Sequence, residues 1–325
     1  CSLVFRASNP TVEQLFETYQ ATRDFAPEVV VAVGGGSILD VGKSLCCLYG
    51  TDLPHADSLR RLIEEKSYGH PAARWIGVPT TAGTGSEVTC WATIWDPERD
   101  AKRSVECREN YAFAALVDPE LAAGMPVTLA VSSALDAAAH AVESYWAKGT
   151  NAVSRGLALE AIRTIMGHMD GLLAGTMEAH EAMARGSMLA GLAFSNTKTT
   201  ACHSISYPLT MHCGIPHGAA VSMLLGPVFQ LNAQALARPE PLLDALGVSS
   251  PEELAEKVCG ILRRSGQPAT LKEWGAQREE LPRLARLGMT KGRADNNPVP
   301  IEPATILSIL EQIYDSSCKL TRKGA

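Results

Sequence analysis

Val29 to Val33 is an unbroken apolar run of four valines and one alanine, and it stops at Gly34-Gly35-Gly36-Ser37. A short run of this kind, β-branched and without polar alternation, marks a strand of a parallel sheet covered on both faces. A helix is expected directly after it, over Ile38 to Leu48. Strand, glycine turn and helix start in succession constrain the chain more than any other feature, because they demand an α/β layer architecture. They also leave bare backbone N–H groups and a helix dipole aimed at one point, which is an anion site able to admit a pyrophosphate. The plainer alternative is that the glycines only make a tight turn. A Walker A loop is excluded: it needs four residues before Gly-Lys-Ser/Thr, and Gly36 to Gly42-Lys43-Ser44 has five. A Rossmann fingerprint is unmatched as well, with Leu39 where its last glycine belongs.

Around this feature the first third of the chain keeps an α/β character. Asn9-Pro10-Thr11 offers a capping side chain and a first-turn proline for a helix. Arg74 to Pro79 is a second strand. It leads into Thr80-Thr81-Ala82-Gly83-Thr84-Gly85-Ser86-Glu87, a loop dense in hydroxyls and glycines, either ligand-binding or simply a flexible surface loop. Ala92 to Trp95 and Lys102 to Val105 are expected to form a hairpin, and Ala112 to Val117 a further strand. Past Gly124-Met125-Pro126 only helical periodicity remains. Leu157, Ile162, Ile165, Met166, Met169 and Leu173 are expected on one long helix, and Ile306, Leu307, Leu310 and Ile313 on another. The expected domains are therefore 1–122, α/β, and 123–325, helical.

Composition excludes several function classes. The formal charge of −6 argues against a nucleic-acid footprint or a polybasic membrane surface. No run of eighteen apolar residues is present to span a membrane. Nine cysteines, an odd number with no C-x-x-C spacing, point to reduced thiols in a cytoplasmic protein. No signal peptide is visible, although the chain opens on Cys1 rather than Met.

Two stretches of the helical region carry candidate ligands. In Ser132-Ser133-Ala134-Leu135-Asp136-Ala137-Ala138-Ala139-His140, Asp136 and His140 lie four apart on one helix face with only alanines between them. The pair is either a metal-holding couple or an exposed Asp–His pair. Farther on, Met188 to His203 is expected to be a small-residue helix, after which Pro208 and the Gly214/Pro216 pair break the chain. His203 and His217 then come from different elements. Together Asp136, His140, His203 and His217 offer one carboxylate oxygen and three imidazole nitrogens. Such a set suits Fe2+ or Zn2+ and suits Mg2+ or Ca2+ poorly.

In this order, behind two glycine-bearing loops, the chain resembles the iron-dependent alcohol dehydrogenase family over nearly its whole length. The motifs that carry the resemblance are Gly34-Gly35-Gly36-Ser37 with Asp40 and Lys43, Pro79 through Glu87, Asp136-x-x-x-His140-x-x-Glu143, and His203 with Pro216-His217-Gly218. The resemblance implies a dehydroquinate synthase-like fold. An N-terminally incomplete α/β dinucleotide-binding domain (1–122) precedes an all-α metal and substrate domain (123–325), with catalysis in the cleft between them. Carried over by motif, Gly34, Gly35, Gly36 and Ser37 contact the pyrophosphate of NADH or NADPH. Asp40, Thr80, Thr81 and Thr84 line the nucleotide, and Lys102 reaches the nicotinamide ribose. The implied chemistry is reduction of a small aldehyde to a primary alcohol. The metal polarises the carbonyl and the nicotinamide delivers hydride. A homodimer or larger homo-oligomer is expected.

Two departures matter. Where many relatives carry a second histidine four residues after the His203 position, this chain has Tyr207, so Tyr207 or ordered water is expected to complete proton transfer. The chain also begins later than its relatives, which leaves the NADH-versus-NADPH preference unread. The wording from Ser195 to Pro208 looks most like the branch that reduces phosphonoacetaldehyde to 2-hydroxyethylphosphonate in phosphonate natural-product (antibiotic) pathways. In that reading Lys198 and Thr199 hold the phosphonate; in the plainer one Lys198 is a solvated helix residue. The alternatives within the family are a general short-chain alcohol or lactaldehyde dehydrogenase and a maleylacetate-reductase-like enzyme.

Overall fold

The computed structural model describes residues 1–99 and 101–315 and divides the chain into two units, Cys1–Ala122 and Ala123 onward. The first unit runs α1 (Val12–Thr22), β1 (Val29–Gly34), α2 (Gly36–Leu48), α3 (Ala56–Glu65), β2 (Arg74–Pro79), β3 (Trp91–Asp96), β4 (Ala101–Glu106), β5 (Ala114–Ala115) and α4 (Pro119–Ala123). β1, β2 and β5 form a parallel sheet in that order, with Val31 opposite Ile76 and Ile76 opposite Ala114. β3 and β4 make the expected antiparallel hairpin, in which Trp95 faces Lys102. Leu15, Leu48, Leu59, Trp75 and Ile94 are fully buried in the core on the helix side of this unit.

Three expectations need correction here. α1 is capped by Thr11, not Asn9: Thr11 accepts from the Gln14 N–H and the Gln14 side chain answers the Thr11 N–H, while Asn9 sits at φ 54°. The strand expected over 112–117 is two residues long, because beyond it only single bonds, Phe113 N–H to Trp75 and Leu116 N–H to Gly77, tie the chain to β2. Nor is β1 buried on both faces. Val29, Val31 and Val33 are each about half exposed, since successive side chains point to opposite faces and α2 covers only the face of Val30 and Ala32. That cover is tight. A Cβ on Gly42 would stand 2.7 Å from the Ala32 Cβ, so this glycine provides the close helix–strand approach that the turn's missing last glycine does not.

The second unit is helical throughout its described residues: α5 (Val127–Trp146), α6 (Ala152–Gly167), α7 (Met169–Leu173), α8 (Met177–Thr197), α9 (Ala201–Cys213), α10 (His217–Asn232), α11 (Glu240–Leu246), α12 (Pro251–Arg264), α13 (Leu281–Leu287) and α14 (Pro303–Asp315). α5 is apolar or small on nearly every face and is buried along most of its length, as such a helix must be. The expected long helix through Leu173 ends at Gly167 instead, where the His168 ring turns back onto the Thr164 carbonyl at 2.7 Å. The helix expected from Met188 to His203 breaks at Lys198, and α9 continues through Pro208. Pro208 withholds an N–H from the Ser204 carbonyl, but Ala201 to Leu209 are all buried, and packing holds the turn that the hydrogen bond does not.

Among the described residues no helix is long and apolar enough to cross a membrane. Among the described residues Cys46, Cys47, Cys90 and Cys202 are buried free thiols.

Candidate metal centre and nucleotide loops

α5, α9 and α10 bring Asp136, His203 and His217 together. Asp136 Oδ1 lies 3.4 Å from His203 Nε2 and 3.7 Å from His217 Nε2. One donor atom from each residue falls within 4.8 Å of the others. Donors each about 2.1 Å from one cation stand roughly 3–4 Å apart, so the spacing fits a shared divalent ion. Asp136 Oδ1 and His203 Nε2 are buried and neither has a hydrogen-bond partner. Orphaned buried acceptors are costly, and a cation satisfies both at once. Two nitrogens and one oxygen suit iron or zinc. The His217 side chain is 30% exposed while the other two are nearly closed off, so the centre opens on the His217 side.

Electrostatics agree with this placement. Burial raises the Asp136 carboxyl, but the imidazoles of His140, His217 and His203 outweigh it and hold the group well below the usual carboxylate range. Burial lowers His203, and Glu143 and Asp136 more than reverse that.

Two residues explain how the donors are held. Glu143, fully buried on α5, accepts from the N–H of Cys202 at 2.6 Å, from Thr200 Oγ1 at 2.8 Å and from His203 Nδ1 at 2.5 Å. An ionised carboxylate only accepts, so Nδ1 must carry the proton and the lone pair of Nε2 is presented to the centre. Gly218, directly after His217, lets α10 meet α5. A Cβ there would stand 2.0 Å from the Ser132 carbonyl oxygen, an impossible contact.

The other expected residues fall nearby in part. His140 is beside the cluster: its ring stacks on Phe194 at 4.2 Å and on His203 at 4.3 Å, and it is not among the three donors that converge. Stacking rather than convergence orients it. Tyr207 is buried, with its ring stacked on that of His217 at 5.8 Å, and burial pushes its hydroxyl up to about 12. Lys198 is exposed and stands between α8 and α9 at φ 61°, ψ 176°, a conformation that is essentially glycine's. Its neighbours over-determine it. Asn296 Nδ2 donates to the carbonyls of Thr197 (2.8 Å) and Thr199 (3.1 Å), and Thr197 Oγ1 donates to that of Lys198 (3.0 Å). Thr199 is buried.

In the first unit the turn at Gly34–Ser37 packs on the loop after β2. The Thr80 N–H donates to the Gly34 carbonyl at 3.0 Å. A Cβ on Gly35 would meet Thr81 at 3.3 Å, and one on Gly36 would meet Thr84 at 2.6 Å. The two loops thus form one surface over the N-terminus of α2. Ser37 Oγ accepts from the Asn9 N–H at 3.1 Å. Asp40 is engaged, one carboxylate oxygen accepting from Ser86 Oγ at 2.6 Å and the other from the Thr93 N–H at 2.7 Å. Beneath them Lys43, fully buried, donates to Ser86 Oγ, Thr89 Oγ1 and the Trp91 carbonyl. Lys102 Nζ lies 5.4 Å from the centroid of the Trp95 ring.

Glu143, Gly218 and Lys43 stand in the sequence motifs with no role assigned to them, and Gly42 enters only in excluding a Walker A loop. A signal existed for Glu143, which follows Asp136 and His140 at helical spacing on an otherwise small and apolar helix. None existed for Gly218 beyond its place after a ligand.

Comparison with known proteins bears directly on this arrangement. Residues 4–119 match the profile of iron-containing alcohol dehydrogenases, and residues 130–314 match that of the C-terminal part of the Fe-containing alcohol dehydrogenase family. Lactaldehyde reductase of Escherichia coli K12 is 30% identical over 312 residues, covering 93% of this chain and 80% of that one. Phosphonoacetaldehyde reductase of Streptomyces viridochromogenes is 34% identical over 222 residues, 65% of this chain and 54% of that one. The structure of sulfoacetaldehyde reductase from Bifidobacterium kashiwanohense, solved in complex with NAD+, superposes with a TM-score of 0.86 at 29% identity, covering 96% of this chain and 82% of that one. The α/β and helical units, the donor cluster on three helices and these matches have one explanation: the chain belongs to the iron-containing alcohol dehydrogenase family.

Proposed function

We propose that this chain reduces a short aldehyde carrying an anionic headgroup, phosphonoacetaldehyde to 2-hydroxyethylphosphonate, with NADH or NADPH as reductant. Fe2+, with Zn2+ as its rival, occupies the centre. The observation that carries the reading is the convergence of Asp136, His203 and His217 on one point. When bound, the cation polarises the aldehyde carbonyl as a Lewis acid and the reduced nicotinamide supplies the hydride. The chain's own residues do the rest. Gly34 to Ser37 and the start of α2 bind the pyrophosphate, with Thr80, Thr81 and Thr84 beside it. Asp40 holds the loop through Ser86, and Lys102 reaches the nicotinamide ribose. Glu143 fixes the tautomer of His203, His140 completes the donor set, and Tyr207 holds a proton against His217. Thr199 and Lys198 border the anionic end of the substrate. A homodimer or larger homo-oligomer completes the picture, with a place in a phosphonate pathway.

The likeness to phosphonoacetaldehyde and sulfoacetaldehyde reductases supports an anionic headgroup. The likeness to lactaldehyde reductase over 93% of the chain favours a second reading, a general short-chain alcohol dehydrogenase. Anaerobic purification with elemental analysis, followed by NADH and NADPH oxidation against phosphonoacetaldehyde, sulfoacetaldehyde, lactaldehyde and butanal, separates the two. A preference for the neutral aldehydes overturns the first reading, and no metal-dependent turnover overturns both. Within the first, Lys198→Ala is expected to raise KM for phosphonoacetaldehyde far more than for butanal.

A further inference from the structure

The metal centre has a cation near it that the motifs do not contain. Arg293, half-buried just before the turn Ala294–Asn296, lays its guanidinium over the Tyr207 ring at 5.3 Å. Tyr207 in turn stacks on His217. The Arg293 Nε donates to Thr199 Oγ1 at 3.2 Å, and Asn296 in the same segment grips the carbonyls on either side of Lys198.

What distinguishes Arg293 is the company it lacks. The other sheltered arginines are neutralised: Arg60 pairs with Asp96 and Glu98, and Arg103 with Asp96 and Glu64. Among the described residues no carboxylate pairs with Arg293. A guanidinium keeps its charge at any physiological pH and carries five N–H donors. One is spent on Thr199, which leaves the forked end for an acceptor. A permanent, partly desolvated positive charge without a counter-charge is unfavourable unless something negative arrives.

We propose that Arg293 is the specificity-determining residue for the anionic headgroup, taking two oxygens of a phosphonate or sulfonate while Thr199 orients the guanidinium. In a two-carbon aldehyde a single carbon separates the acid's central atom from the carbonyl carbon. An anion held at Arg293 therefore places the carbonyl on the Tyr207–His217 side, where the donor cluster opens. This rests on the aldehyde-reductase reading above.

The test compares wild type, Arg293→Met and Arg293→Lys, all metal-loaded, on phosphonoacetaldehyde, sulfoacetaldehyde and butanal. Removing a charged partner from a sheltered ion pair is expected to raise KM for both anionic aldehydes on the order of 100-fold. Turnover of butanal should stay within threefold. Arg293→Lys should recover part of the loss, since it restores a point charge but not the fork. In the wild type, ethylphosphonate should compete with phosphonoacetaldehyde, and Arg293→Met should abolish that competition at unchanged melting temperature. Equal losses on charged and neutral aldehydes, or competition that survives in Arg293→Met, overturns the assignment of Arg293. A wild type that reduces no aldehyde overturns the reductase reading itself, a different and separable result. Tetrahedral anions from the two sources are told apart by their KM values in the wild type.

Discussion

Glu143 has no exposure to solvent, and its carboxylate is committed to partners inside the protein. Burial raises its pKa, but the adjacent His203 and the hydrogen bonds from α9 bring the group below its ordinary range, so it stays ionised. Glu143→Gln keeps the shape and puts a donor where an acceptor is needed. Changes at such outer positions weaken metal binding by about 10–100-fold. Competitive titration of the apoprotein with Fe2+ or Zn2+ against a chromophoric chelator is expected to show that loss, with an unaltered far-ultraviolet spectrum. Tyr207 offers a different test. With its pKa near 12 it keeps its proton across the neutral range, so a donor role would not appear as a tyrosine ionisation between pH 6 and 9. Tyr207→Phe should lower kcat by roughly 100-fold, the lower end for a positioned acid, without moving either limb of the pH profile in that window. Unaltered turnover would remove Tyr207 from proton transfer.

At the scale of elements, the critical event is the meeting of α5 and α10. Gly218→Ala puts a methyl group into the Ser132 carbonyl, and one helix must retreat. Overpacking of this kind costs about 1–3 kcal/mol, and any retreat moves His217 from Asp136. The variant should melt lower and bind metal far more weakly; normal metal content would show that α10 has slack the geometry does not reveal. This contact also shows why legibility was uneven. The Gly34–Ser37 turn, β2 and its loop, the hairpin and the Asp136–His140 couple were readable because each announces itself through local spacing. His203 and His217, on separate elements, were joined to them by the ordered set of family motifs. Val29, Val31 and Val33 misled because composition records apolar character, not whether a second layer lies over it. Lys198 broke the expected helix because the carbonyls around it are captured by Asn296, 97 residues from Thr199. Neither Gly218 nor Arg293 carries a local pattern, since each acts through a partner tens of residues away.

For the molecule as a whole, the donor cluster ties together helices that begin at Val127, Ala201 and His217. A ligand that binds only the folded state stabilises it, by about 2.7 kcal/mol at a hundredfold excess over Kd. For a region of this size that is a rise in melting temperature of about 5–10 °C. Excess Fe2+ or Zn2+ should produce such a rise, a chelator should reverse it, and Asp136→Ala should be indifferent to both; an equal shift in Asp136→Ala would place the binding elsewhere. The same geometry decides when iron can enter. The three donors that converge come from three separate helices, so an emerging polypeptide offers a free ion no complete site, and tight capture waits until the bundle has closed. Maturation then depends on whichever divalent ion the cell leaves unbound at that late moment, admitted past the partly open imidazole of His217. Because zinc outcompetes ferrous iron for most nitrogen–oxygen donor sets, the identity of the resident ion is a record of cellular supply as much as of the protein's own preference.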